Sequence, residues 1–267
     1  MTANASQFIG SIPENYDEGL GPHIFEPHAQ DLSQRVAAAQ PARVLELAAG
    51  TGIASRFIRN AMPAGSMLTV TDLNQPMLEV AKTKFAADEL VQFEAVDACD
   101  LPYTDASFDL ITCQFGVMFF PDKARHFSEA KRVLTPGGKY IFNCWGPWAE
   151  NRFGEIAYEA TRMHYPDNPP AFYKVPFSFH DAAEIERALA AAGFAEVQTE
   201  VVRLTNTIRS ESDFARGIIF GNPVAAEIVE RGGSCEAIRI ELELTLREEL
   251  NGQLDLMAIV ATAKKSD

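Results

Sequence analysis

Between Arg43 and Trp145, short β-branched and apolar runs alternate with amphipathic segments of roughly a dozen residues. That alternation confines the chain to an α/β fold of βαβ units, with a parallel sheet covered on both faces. The strand-like runs are 43–47, 67–72, 91–95, 108–114 and 139–145. Helices are expected at about 53–60, from Gln75-Pro76 to about 87, and over 122–134, with Pro76 suited to a first turn. A helix over 27–39 precedes them. Beyond Trp145 the rhythm breaks. Residues 147–178 are rich in aromatic residues and Pro. A helix over 181–192 and a strand over 196–204 follow. Residues 209–250 read as helical, broken at Gly221-Asn222-Pro223 and Gly232-Gly233, and 254–263 is a last strand. The expected division is an N-terminal helical lid, 1–42, and a main domain, 43–267. Cap inserts at about 147–178 and 206–250 are expected over the carboxyl edge of the sheet.

Charge narrows the choice of partner. The chain has 23 basic and 37 acidic residues, a formal net charge of −14. Phosphate backbones demand clustered Lys and Arg, so nucleic acid is an unsuitable ligand. The densest basic spots, Lys82/Lys84 and Lys264/Lys265, are small. The first six residues lack a basic and an apolar signal region, and the apolar stretch Leu110–Phe120 is interrupted by Thr112 and Gln114. A cytoplasmic protein without a membrane span is expected, as monomer or homodimer. Cys99, Cys113, Cys144 and Cys235 form no CxxC pair, so neither zinc nor a disulfide framework is expected.

In open α/β sheets ligands bind beyond the carboxyl ends of the strands. Three acids stand at successive strand ends: Glu46, Asp72 and Asp97, spaced by 26 and 25 residues. A nucleotide-like ligand along that edge meets each in turn. Glu46 suits an ammonium group, Asp72 a ribose diol, and Asp97 an exocyclic adenine amine. Ala48, Gly50 and Gly52 let the backbone approach closely. The dinucleotide fingerprint GxGxxG is not met, because Ala48-Ala49-Gly50-Thr51-Gly52-Ile53 carries Ala and Ile where glycines belong. An acid just before the turn is also awkward beside a pyrophosphate. S-adenosylmethionine (SAM), or its product S-adenosylhomocysteine (SAH), fits this series better than NAD.

Five segments carry a resemblance: Val44–Gly52, Thr71-Asp72-Leu73-Asn74, Val96–Pro102, Ser107-Phe108-Asp109-Leu110-Ile111 and Arg132–Gly138. In order and spacing they resemble the class I SAM-dependent methyltransferases, in particular the small-molecule group similar to the ubiquinone/menaquinone biosynthesis enzymes. The resemblance implies a Rossmann-like seven-stranded mixed sheet, order 3-2-1-4-5-7-6. Strand 7, antiparallel, would be Leu254–Ala263 and strand 6 Glu196–Leu204. It implies a cofactor site of Glu46, Ala48, Gly50, Thr51, Gly52, Asp72, Leu73, Met77, Asp97 and Ala98. Gln114 and Phe115 would face the reacting end, and Tyr16 would lie in a lid over SAM. Ala48 departs from the usual first glycine of the turn.

Methyl transfer is an in-line displacement at a sulfonium, so positioning and exclusion of water supply much of the acceleration. If the acceptor arrives protonated, Tyr16, His23, His28 and His180 are the candidate bases. His126 is expected to be solvated. Phe115, Met118, Phe119, Phe120 and Trp145 are candidate walls of an acceptor pocket, and Trp148 lies near them. The acceptor would be a small molecule, with aromatic and heterocyclic ones included, methylated at O, N or C. Asn168-Pro169-Pro170-Ala171-Phe172 is similar to the Asn-Pro-Pro-aromatic motif of DNA amino-methyltransferases. It does not follow strand four, and its aromatic comes one residue late, so it reads as a loop. No acidic cluster after strand four would hold a catalytic metal. Two other readings stay open: a catalytically silent SAM-binding module, and an NAD-dependent oxidoreductase.

Overall fold

The computed structural model describes residues 6–266. Seven strands, β1 (Arg43–Glu46), β2 (Met67–Asp72), β3 (Val91–Ala95), β4 (Phe108–Gln114), β5 (Leu134–Trp145), β6 (Ala195–Thr207) and β7 (Gln253–Lys264), form one sheet. Its order is β3-β2-β1-β4-β5-β7-β6. The β1–β2, β1–β4, β2–β3 and β4–β5 pairs are parallel, and β7 runs antiparallel to both β5 and β6. The order and the reversed seventh strand are those expected from the sequence. β5 begins five residues earlier than expected, because Leu134 already pairs with Phe108 before a register shift at Phe108/Leu110. Gly137, at φ 73°, takes up that irregularity.

On one face of the sheet α2 (Glu26–Ala39) and α3 (Ile53–Ala61) bury Leu32, Val36 and Ile58 against Val44, Leu68 and Val260. On the other, α5 (Lys123–Val133) and α7 (Ala182–Ala191) bury Phe127, Val133, Ile185 and Leu189 against Tyr140 and Phe142. Between β2 and β3, α4 (Gln75–Lys82) stops short of the expected end near 87. Turns then carry the chain to β3. They are held by Arg56, which donates to the Lys84 carbonyl and to Glu89, while Glu89 accepts from the Ala86 N–H.

The N-terminal segment holds more helix than its pattern suggests. α1 (Ile12–Leu20) passes through one π-helical turn, Gly21–Phe25, into α2. Pro22 has no N–H to give to the preceding turn, and the widened turn absorbs that loss. In the first cap, expected as a helical insert without bounds for its helices, α6 (Arg152–His164) buries Phe153, Ile156, Ala157 and Tyr158. The second cap comprises α8 (Glu211–Phe220), α9 (Val224–Glu230) and α10 (Cys235–Leu250), broken at the two expected places.

α1 lies against α8 backbone to backbone. A Cβ built on Gly19 would fall 2.5 Å from the Gly217 Cα, and one on Gly221 would fall 2.8 Å from the Tyr16 Cα. One turn apart on α8, Gly217 and Gly221 open the groove that receives Tyr16 and Gly19. Alanine is the better helix former by about 1 kcal/mol. Gly217→Ala is nonetheless expected to lower the unfolding free energy by about 1–3 kcal/mol through overpacking. Denaturant unfolding checks this; an unchanged or raised midpoint would show the contact to be unimportant.

Candidate functional site

The loop after β1 is built from unusual backbone. Leu47 N–H donates to the Thr112 carbonyl and Ala49 N–H to the Thr71 carbonyl, each at 2.9 Å. The loop is thereby clamped between β4 and β2. Ala48, Gly50 and Gly52 adopt φ of 51°, 58° and 78°. For Ala48 this left-handed conformation is a strain that the clamps sustain. Its methyl fits because the facing residue is Gly116, where a Cβ would lie 2.5 Å from the Ala48 Cβ. Phe115 also has positive φ, 53°, and its N–H donates to the Asn143 side chain at 2.9 Å.

Asp72 joins this loop to the next. Its Oδ2 accepts from Gly50 N–H at 2.9 Å and its Oδ1 from Asn74 N–H at 2.8 Å. Burial raises its pKa, and the bonds from Asn74 and Gly50 oppose that rise. One carboxylate thus orders two loops and still borders the cleft between them.

Glu46 is in a different condition. It is 1 % exposed, and neither carboxylate oxygen has a hydrogen-bond partner. Burial pushes its pKa up to about 8; Ser55 partly opposes this and Asp72 adds to it. Gln114 donates its amide N–H to the Phe25 carbonyl at 3.3 Å and leaves Oε1 unpartnered. Both residues line a small cavity with Tyr16, Phe25, Ala48 and Ile53. Buried oxygens without donors are costly, and a cationic donor is their natural complement.

Tyr16, Ala48, Gly50, Asp72, Leu73, Met77, Asp97, Ala98, Gln114, Phe115 and Phe119 border one cleft of about 180 Å³. Thr51 and Gly52 do not border it. Thr51 is buried with its hydroxyl unpartnered, and Gly52 packs on Ala81, 2.7 Å from where its Cβ would be. Their part is in forming the turn. Phe120, a candidate acceptor wall, lines the cleft as well, and so do Ser6, Phe8, Asn74, Val96, Gly116 and Pro121, which were not named as site residues from sequence. Asn74 was within reach, two residues past Asp72 and at the start of a helix. Ser6 and Phe8 arrive from the distant N-terminal segment, and no local pattern marks them.

His126 is fully buried, contrary to expectation. Its Nδ1–H donates to the Ala98 carbonyl at 2.9 Å, which leaves Nε2 to accept from the Tyr140 hydroxyl at 2.8 Å. Burial lowers its pKa to about 4, so it is a neutral brace under the loop carrying Asp97 and Ala98.

A second, apolar cavity shares Phe8, Tyr16, Phe115 and Phe119 with the cleft and extends under the caps to Trp145, Phe172, Tyr173 and Asn222. Trp145 stacks on Phe115 with ring centroids 3.8 Å apart and planes at 3°. Trp148 lies outside, stacked on Tyr158. The candidate histidines border neither cavity. His23 donates from Nδ1 to the Gly19 carbonyl at 2.7 Å and accepts from Arg209 N–H at 3.2 Å, so both nitrogens are committed. His28 is buried edge-on against Phe115 and Trp145, its pKa lowered to about 4 by burial. His180 bonds to the Phe177 carbonyl at 2.7 Å. Tyr16 does border the cavities, but burial, with Asp72 and Asp17, drives its pKa far upward and keeps its hydroxyl protonated. The Asn168–Phe172 loop is pinned to α9, with Ala171 and Phe172 N–H donating to Glu227 and Asn168 accepting from Arg231. Among the described residues, no three His, Cys, Asp or Glu side chains are grouped to hold a metal ion.

Residues 45–142, the span that builds this edge, match a family described as a methyltransferase domain. Relatives of the chain include a demethylmenaquinone methyltransferase of Deinococcus radiodurans, 39 % identical, the match covering 46 % of this chain and 53 % of that protein. A ubiquinone/menaquinone biosynthesis C-methyltransferase of Bartonella bacilliformis is 34 % identical over 49 % of this chain and 54 % of its own. The chain thus spans about half the length of the curated relatives it matches. In solved structures the fold is similar to YcgJ of Bacillus subtilis, with TM-score 0.58, 23 % identity, and coverage of 90 % and 99 %. It is also similar to a phosphoethanolamine N-methyltransferase of Haemonchus contortus in complex with SAM, with TM-score 0.60, 17 % identity, and coverage of 96 % and 57 %. The matched segment lies where the sequence resemblance to the ubiquinone/menaquinone group was read.

The Glu46 carboxyl provides a test of the site's electrostatics. Its pKa in the folded chain is raised above the unfolded value, so the stability it contributes is complete at pH below about 4.5 and is lost as pH rises through about 8. On the order of 3 kcal/mol is expected to disappear between about pH 5 and pH 8, and Glu46→Gln should flatten that slope. Denaturant unfolding of both proteins across this range decides; parallel curves would mean that Glu46 is not the group responsible.

Proposed function

We propose that the chain is a SAM-dependent methyltransferase acting on a small-molecule acceptor. The observation that carries this reading is the unpartnered, buried Glu46 carboxylate, placed one βα unit before Asp72 and two before Asp97 along a single sheet edge. SAM supplies a sulfonium methyl group. On the protein side, Glu46 and Gln114 Oε1 would accept from its ammonium group, Asp72 would hold the ribose, and Asp97 would face the adenine. Leu73, Met77 and Ala98 offer apolar walls to the base. Tyr16, Phe8 and Phe119 close the boundary between the cleft and the apolar cavity and keep water from the reacting centre.

One relative is a demethylmenaquinone methyltransferase and another a ubiquinone/menaquinone biosynthesis C-methyltransferase, which supports a small acceptor for this chain as well. A silent binding module has no use for an apolar cavity contiguous with the cleft, and here the two share four residues. A nicotinamide cofactor would set its pyrophosphate beside the acid of β1. No described helix is long and apolar enough to cross a membrane.

Titration calorimetry with SAH is expected to give one-to-one binding, lost in Asp72→Ala, with no binding of NAD. Glu46 is protonated in the free site near pH 7 and ionised opposite an ammonium. Binding should therefore release about one proton, read from the dependence of the apparent enthalpy on the buffer's ionisation enthalpy. A folded protein that binds NAD and not SAH would overturn the proposal. Binding of SAH without proton release would remove Glu46 from the ammonium role.

A further inference from the structure

The apolar cavity under the caps is bordered by one polar pair at the C-terminal end of α8. Tyr173 and Asn222 both border it, and both are more than nine-tenths buried, at 6 % and 7 % exposure. Asn222 follows the C-terminus of α8, where its Nδ2 donates to the Ile218 carbonyl at 3.0 Å and to the Gly217 carbonyl at 3.3 Å. Two carbonyls on one side fix the orientation of the amide, since only the NH2 group has hydrogens to give them. Oδ1 therefore points the other way, and no described residue donates to it. The Tyr173 hydroxyl spends its hydrogen on the same Ile218 carbonyl. The polar valences left on these two residues are acceptors, and the Tyr16 hydroxyl is the other polar group on the cavity wall. No Asp, Glu, Lys, Arg or His lines the cavity, and its other walls are aromatic or aliphatic, with Trp145, Phe172 and Phe177 among them.

We propose that Asn222 is a specificity-determining residue of the acceptor subsite. Its Oδ1 accepts a hydrogen bond from a hydroxyl or N–H group on an uncharged, flat, ring-bearing acceptor. A carboxylate or sulfonate is rejected because no cationic side chain lines the cavity, and an ammonium because no anion faces it. An acceptor without a donor leaves Oδ1 buried and unpaired, the situation in which polar sites discriminate most strongly. The inference rests on the methyl-transfer reading for the meaning of the cavity, but the contact itself is measurable without turnover.

The experiment is a calorimetric comparison of 2-naphthol with 2-methoxynaphthalene on the full chain, with and without SAH. These probes share a ring and differ in the hydrogen that Oδ1 would accept. 2-Naphthol is expected to bind at least about tenfold more tightly, and Asn222→Leu to reduce that ratio below about threefold. Tyr173→Phe keeps the ring and should retain most of the preference. 2-Naphthoate is expected not to bind. Equal binding of the two neutral probes to the unaltered protein, an unchanged ratio in Asn222→Leu, or tighter binding of 2-naphthoate would overturn the proposal. SAH affinity, measured on the same samples, separates the readings. Equal binding of the neutral probes to the unaltered protein, with SAH binding intact, sinks the Asn222 role alone, whereas absence of SAH binding sinks the methyltransferase reading. Retained SAH binding in Asn222→Leu also shows that the variant is folded.

Discussion

The hydrogen bond from Gly50 N–H to the Asp72 carboxylate is the contact on which the site's geometry turns. It crosses from the loop after β1 to the end of β2, and the same carboxylate takes the Asn74 N–H. Without it, the left-handed residues of the first loop have only the backbone clamps at Leu47 and Ala49 to hold them. A charged acceptor strengthens such bonds beyond their neutral equivalents. It also explains how Asp72 tolerates burial, since amide dipoles compensate what water would have supplied.

Glu46 and Asp72 show two settlements of the same problem. Both are buried carboxylates on one sheet edge. Asp72 is satisfied within the fold, whereas Glu46 is left to a partner from outside. An unpaired group of this kind lowers stability in the empty protein and converts into affinity when a cation arrives. The strain at Ala48 and Phe115 belongs to the same pattern. At these two positions local cost lies where the ligand would bind.

Much of this edge was legible in the sequence because it is built from local signals. Strand ends are marked by where apolar runs stop, so Glu46, Asp72 and Asp97 could be placed on one edge by spacing alone. The strand order, by contrast, came from family resemblance. What escaped notice is nonlocal or was masked by composition. Phe8 reaches the cleft from a segment with no pattern of its own, and Tyr173 and Asn222 meet only after the caps fold. The aromatic richness of 147–178 concealed the helical period of α6, whose Phe153, Ile156, Ala157 and Ala160 form one apolar stripe. His126 was misread as solvated although it shares a stripe with Ala130 and Val133 on α5. There the polar label of the residue outweighed its position.

The glycine-to-glycine seat between α1 and α8 bears on traffic through the site. Tyr16 stands over the cleft, and its helix is lodged in a groove of the cap with no side chains between the two backbones. A contact of that closeness has little room to slide. The N-terminal helix and α8 therefore travel together, and any displacement of Tyr16 from the cleft carries α8 with it. Such coupled opening is a slow collective motion rather than a side-chain flip.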